Sequence, residues 1–243
     1  MDLPAFDKVA DIYDATRALP EPIMTCVLDK MKQVLGDCAT IVDVGVGTGR
    51  FAQPLQEMGF RVVGADVSRG MLAKASEKGV RELLLADVHH LPFEDGTFDA
   101  ALVVHVLHLL KDWQSATSEI GRVSTRKVVS VVGRTDGPSI RAEYRRLRAH
   151  FGYPLDRFEG GEESLRELVR PVEVVKVGEY TSETAADDEV SYLAGRGSST
   201  TWNLDEDVHS KVITELRKSY GGKVLRRKHL VELAVWRPDQ LRL

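Results

Sequence analysis

Residues Ile41-Val42-Asp43-Val44-Gly45-Val46-Gly47-Thr48-Gly49-Arg50-Phe51 place three alternate glycines directly after an apolar run that carries one acid. The run ATIVDVGV (39–46) has the composition of a buried strand, and the glycines let the chain turn sharply and bring its backbone close to a ligand. A dinucleotide loop has the spacing G-x-G-x-x-G. Counted from Gly45, the last glycine of that pattern falls on Arg50, and the third glycine stands at position 49 instead. The pattern is D-x-G-x-G-x-G, and Asp43 at the strand end suits a cationic group better than a pyrophosphate.

Outward from this stretch the chain repeats strand and helix. A helix through RFAQPLQEMG (50–59) stops at Gly59, and FRVVGADV (60–67) is a second strand. SRGMLAKASEKG (68–79) is a helix ending at Gly79, RELLLADV (81–88) a third strand, and FDAALVVHVL (98–107) a fourth. WQSATSEIGRV (113–123) is helical before the fifth strand, RKVVSVVG (126–133). This rhythm predicts βαβ units and a doubly wound α/β fold with a mostly parallel sheet.

Two flanks depart from the rhythm. Residues 4–35 read as two helices, with Pro20 and Pro22 opening the second. Beyond Gly133 come a turn at Asp136-Gly137-Pro138, a basic helix from Ile140 to His150, a loop-like stretch to Gly161 and a short helix from Glu162 to Val169. A strand in VEVVKVGEYTSE (172–183), a helix from Asp205 to Ser219 and a last strand in KVLRRKHLVELAVWR (223–237) complete the chain. Four regions are expected: a helical lid over 1–38, a cofactor-binding core over 39–135, an acceptor-side insertion with the sixth strand over 136–204, and a helix and last strand over 205–243.

Composition bounds the function. The 243 residues are 43% hydrophobic and 29% charged, ordinary for a globular protein, and the net charge of −4 gives no general attraction to nucleic acid or anionic membrane. Cys26 and Cys38 lack zinc spacing and read as free thiols; no metal site is expected. No signal peptide or membrane span is expected, which points to the cytoplasm.

Two further acids end strands. Asp66, about 20 residues past the first glycine, suits both hydroxyls of a ribose, although it or Ser68 could instead cap the next helix. Asp87 could accept from an exocyclic amine while the Val88 amide donates to the ring. Acids at three consecutive strand ends beside a glycine loop favour an adenosine ligand with no phosphate.

VDVGVGTGRF, GADVS and LLADVHHLPFEDGTFDAAL together resemble class I S-adenosylmethionine-dependent methyltransferases, most closely the type 11 group that includes ubiquinone- and menaquinone-biosynthesis-like enzymes. The run from Leu91 to Asp99, L-P-F-x-D-x-x-F-D, is specific to that group, and FDKVADIYDATR (6–17) is similar to its Y-D-x-x-R opening. The likeness covers roughly residues 6–133. It implies a seven-stranded sheet with an antiparallel last strand, S-adenosylmethionine as cofactor and S-adenosylhomocysteine as product. Carried over by position, it implies that Asp43 and the loop of Gly45, Gly47 and Gly49 face the methionyl end. Asp66 with Val67 would face the ribose, Asp87 with Val88 the adenine, and Tyr13 and Arg17 the methionyl carboxylate.

His105, after the fourth strand, is the candidate general base, with a backbone contact to the methionyl amine or a pocket-shaping role as the alternatives. The aromatics between residues 136 and 202 (Tyr144, Phe151, Tyr153, Phe158, Tyr192, Trp202) suit an apolar or aromatic small-molecule acceptor, or are core of the added helices. The basic helix with Arg141, Arg145, Arg146 and Arg148 is either a solvated face or a contact to RNA. The expected function is methyl transfer to a small molecule by in-line displacement. The competing functions are a non-catalytic regulator binding the same cofactor, an RNA methyltransferase and a NAD-dependent oxidoreductase.

Overall fold

The computed structural model describes residues 19–153, 161–202 and 204–242. Seven strands form one sheet in the order β3-β2-β1-β4-β5-β7-β6: β1 (Thr40–Val44), β2 (Arg61–Asp66), β3 (Glu82–Leu85), β4 (Phe98–Val103), β5 (Ser124–Asp136), β6 (Glu173–Ala185) and β7 (Val224–Trp236). The pairs β1–β2, β1–β4, β2–β3 and β4–β5 are parallel. The last strands run antiparallel, so the sheet is the mostly parallel, doubly wound one expected. The order turns back on itself between β1 and β4, which places the ligand crevice of such a sheet at their carboxyl ends.

The helices are α1 (Glu21–Leu35), α2 (Ala52–Glu57), α3 (Arg69–Glu77), α4 (Trp113–Val123), α5 (Ile140–His150), α6 (Gly161–Leu168), α7 (Ala186–Ala194) and α8 (Glu206–Tyr220). Helix α1 starts where the prolines predict, with Pro20 as its N-cap residue. Ser68, Asp112, Ser139 and Asp205 cap α3, α4, α5 and α8 through their side chains. No helix among the described residues is long and apolar enough to cross a membrane.

Two compact units divide the chain. Of the described residues, the first comprises 19–133, 161–178 and 231–242, and the second comprises 134–153, 179–202 and 204–230. In the first, Ile41 to Val44 of β1 and Ala100 to Val103 of β4 are almost wholly buried, the mark of central parallel strands covered on both faces. The second has its own core of Ile140, Tyr144, Val190, Leu193, Val212 and Leu216 from α5, α7 and α8. Each such large apolar side chain contributes about 1.5–3 kcal/mol on burial.

The L-P-F-E-D-G-T-F-D run serves the fold. Asp99 Oδ2 accepts from the Ala39 and Thr40 amides at 2.8 and 2.9 Å and from Thr40 Oγ1 at 3.0 Å, joining the starts of β1 and β4. Arg122 on α4 donates to Asp95, Glu119 and the carbonyls of Leu91 and Phe93, while Phe93 and Phe98 pack edge to face.

Three elements differ from expectation. The fourth strand stops at Val103, and Leu107–Leu109 form a 3-10 turn, because VVHVLHLL is apolar at every spacing and its period does not separate strand from helix. The fifth strand runs from Ser124 to Asp136, longer at both ends. Helix α7 follows β6 without a break and carries no turn signal that would mark it in the sequence.

Candidate cofactor site

The glycine loop has the shape its sequence demands. Gly45, Gly47 and Gly49 all have positive φ, at 69°, 54° and 78°, a region costly for residues with a Cβ. Each glycine answers a different neighbour. A Cβ on Gly45 would lie 2.3 Å from Val106 Cγ2, and one on Gly49 would lie 2.6 Å from Val80 Cγ2. At Gly47 a Cβ would meet nothing closer than the Gly45 carbonyl oxygen at 3.9 Å, so the space beside this backbone is open. The loop is pinned to β2 by the Gly45 and Val46 amides, which donate to the Ala65 carbonyl at 2.8 and 3.0 Å. Arg50, at the position a dinucleotide loop needs for glycine, lays its guanidinium over the Phe51 ring.

Asp43 is 3% exposed on β1. Burial, then the charge of Asp66, pushes its carboxyl up to about 7, against a smaller pull from the Ala52 amide. The charged form of a carboxylate so buried is costly unless a cationic group offsets it.

Asp66 closes the loop from β2. Its Oδ2 accepts from the Gly47 amide at 2.8 Å and its Oδ1 from the Ser68 amide at 2.9 Å. Ser68 is the N-cap of α3, its hydroxyl accepting from the Met71 amide, so Asp66 is released from that duty. Val67 lies half-buried between them.

Asp87 lies two residues past the end of β3 and Val88 beside it is buried. The Asp87 carboxylate accepts from the His89 amide at 2.9 Å and pairs with its imidazole at 2.6 Å. Burial raises its pKa, but these His89 contacts outweigh that and hold it below the usual carboxylate range.

His105 follows β4 with φ of +59°, a strained value for a residue with a side chain, and it is exposed. Its ring packs edge to face with His108, centroids 6.4 Å apart. The turn they share is held by Glu162, a residue the sequence did not single out. Glu162 Oε1 accepts from the Val106 amide at 2.7 Å and the Leu107 amide at 3.1 Å, and Oε2 stands 3.4 Å from His108 Nδ1.

Of the expected cofactor residues, Asp43, Gly45, Gly47, Gly49, Asp66, Val67, Asp87, Val88 and His105 lie at or just past the carboxyl ends of β1 to β4. Tyr13 and Arg17 lie outside the described residues. In the second unit Tyr144 is core, its hydroxyl 2.7 Å from His209 Nδ1. The arginines of α5 have partners there: Arg141 lies over Tyr192, Arg146 pairs with Glu143, and Arg148 donates to the Tyr153 and Thr200 carbonyls. Those contacts favour a locally paired face over an RNA contact.

The family model Methyltransf_11, described as a methyltransferase domain, matches residues 42–129, from β1 into β5. Over that span the chain is similar to a methyltransferase domain. It is 38% identical over 122 residues to a demethylmenaquinone methyltransferase of Corynebacterium urealyticum, covering 49% of this chain and 53% of that one. It is 31% identical over 121 residues to a malonyl-[acyl-carrier protein] O-methyltransferase of Yersinia pestis, covering 49% and 45%. The chain thus spans about half the length of these curated relatives. The YcgJ protein of Bacillus subtilis has a similar fold, with a TM-score of 0.56 at 18% identity over 86% of this chain and 97% of that one.

Proposed function

We propose that this chain transfers a methyl group from S-adenosylmethionine to a small-molecule acceptor. The observation that carries the reading is a single one: the buried Asp43 beneath a loop that opens its backbone at Gly47, with Asp66 and Asp87 beside it at the ends of β2 and β3. Asp43 and the Gly45–Gly47 backbone receive the cationic methionyl end, Asp66 with Val67 the ribose, and Asp87 with Val88 the adenine. Arg17 and Tyr13 reach the methionyl carboxylate, where an Arg fork suits a bidentate partner.

The cofactor, when bound, supplies an electrophilic methyl group on a sulfonium. The protein's part is to orient the acceptor in line with that methyl and to keep water out. His105 stands where an acceptor would approach and takes up its proton where the accepting atom holds one of high pKa. A small-molecule acceptor is supported by the relatives, one named for demethylmenaquinone and one for malonyl-[acyl-carrier protein]. It is also supported by the absence of a D/N-P-P-Y/F run after the fourth strand, where the sequence reads VVHVLHLL (103–110).

Calorimetric titration of S-adenosylhomocysteine against NAD tests the cofactor, and methyl release against a metabolite pool tests turnover. Binding of S-adenosylhomocysteine with release of methyl is the expected result. Binding of NAD alone refutes the reading, and binding without turnover makes the protein a cofactor-responsive regulator.

A further inference from the structure

The turn after β4 is shaped by a residue far along the chain. Glu162 lies in the first turn of α6, is 9% exposed, and takes both the Val106 and Leu107 amides on one carboxylate oxygen. Burial works against its charge, but the hydrogen bond and charge of His108, then the charge of His105, hold its carboxyl down at about 2. These contacts favour its carboxylate form, and a charged acceptor makes the stronger hydrogen bond.

A second observation shows that α6 is fitted to this turn. A Cβ on Gly161 would fall 2.1 Å from the His108 amide nitrogen and 2.2 Å from the Leu107 carbonyl carbon. Backbone therefore lies on backbone, which only glycine permits. The other end of α6 is fixed independently: Trp236 Nε1 donates to the Val169 carbonyl at 2.8 Å, and Arg166 pairs with Glu232 at 2.9 Å.

The turn in turn touches the cofactor loop. Val106, whose amide Glu162 holds, fills the space over the Gly45 α-carbon. His105, one residue earlier, keeps a strained left-handed backbone, and such strain persists only where the surroundings enforce it. We propose that Glu162 is a positioning residue for the cofactor site: its carboxylate presses the His105–His108 turn onto Gly45 and so sets the geometry of the methionyl end. This rests on the reading of the Gly45–Gly49 loop as the cofactor loop.

The test compares the full-length wild type with Glu162→Ala, Glu162→Gln and Val212→Ala, the last a substitution in the separate core of the second unit. Calorimetry gives affinity for S-adenosylhomocysteine, and amide exchange reports on Val106 and Leu107. Expected are about tenfold weaker binding and about tenfold faster exchange of both amides in Glu162→Ala, partly recovered in Glu162→Gln, which keeps an acceptor oxygen without the charge. Val212→Ala should lower the melting temperature yet keep affinity within about twofold, since it acts on the core of the second unit. Wild-type affinity in Glu162→Ala, or an equal loss in Val212→Ala, overturns the proposal. Should Glu162→Ala not fold, Glu162→Gln decides, and wild-type values for both readouts overturn it. Failure of the wild type itself to bind S-adenosylhomocysteine refutes the methyltransferase reading instead.

Discussion

Asp43 and Asp66 end the neighbouring strands β1 and β2, and the charge of Asp66 adds to burial in lifting the Asp43 carboxyl to about 7. The native protein therefore binds a proton at Asp43 more tightly than the unfolded chain does. That contribution is full below the ordinary carboxylate range and is lost as pH rises through about 7. Asp99 and Glu119, whose pKa values are lowered, act in the opposite sense at acid pH, so the contribution must be read as a difference. Relative to wild type, Asp43→Asn should gain on the order of 2–4 kcal/mol between pH 4 and pH 8 without ligand. Parallel denaturation profiles for the two proteins would remove the buried-charge account of Asp43.

Asp66 accepts the Gly47 amide and is the residue proposed to take the ribose hydroxyls. Asp66→Ala should weaken S-adenosylhomocysteine binding by about 1–3 kcal/mol, through the lost charged acceptor. Because Ser68 caps α3, helix content should stay at the wild-type level by circular dichroism. Unchanged affinity would reduce Asp66 to a brace for the loop.

In the second unit, His209 is satisfied at both nitrogens, by the Tyr144 hydroxyl at 2.7 Å and the Ala194 carbonyl at 3.2 Å. The carbonyl only accepts, so Nε2 carries a proton and the hydroxyl donates to Nδ1. Tyr144→Phe leaves Nδ1 buried and unpaired and should cost about 1–3 kcal/mol in stability. Affinity for S-adenosylhomocysteine should not change. A loss of affinity without loss of stability would instead assign Tyr144 to ligand binding.

The first four strands and the three strand-end acids were legible because their signals are local: an apolar run, a turn glycine and an acid within a few residues. The turn holding His105 was not, since its partner Glu162 lies 56 residues beyond Val106 and reads like any acid in a helix's first turn. Gly161 was unreadable for the same reason: it is required by a close approach between distant segments, not by a turn of its own. The antiparallel last strand was foreseen only through the family resemblance, because its direction leaves no mark in local periodicity.

Gly47 and Gly49 share a left-handed backbone but face different surroundings, and substitutions should separate them. At Gly49 a new methyl group meets Val80 and Ala75, both buried, so Gly49→Ala overpacks the contact with α3 and should cost about 1–3 kcal/mol in stability. At Gly47 the methyl meets open space, so the cost to the fold is the backbone strain of a left-handed residue, about 1–2 kcal/mol. The side chain of Gly47→Val would instead occupy the surface the loop offers to the cofactor, and S-adenosylhomocysteine binding should vanish. Melting temperature and calorimetric affinity, measured on both variants, distinguish the two roles. If Gly47→Val bound like wild type, the cofactor would have to approach from another face of the loop.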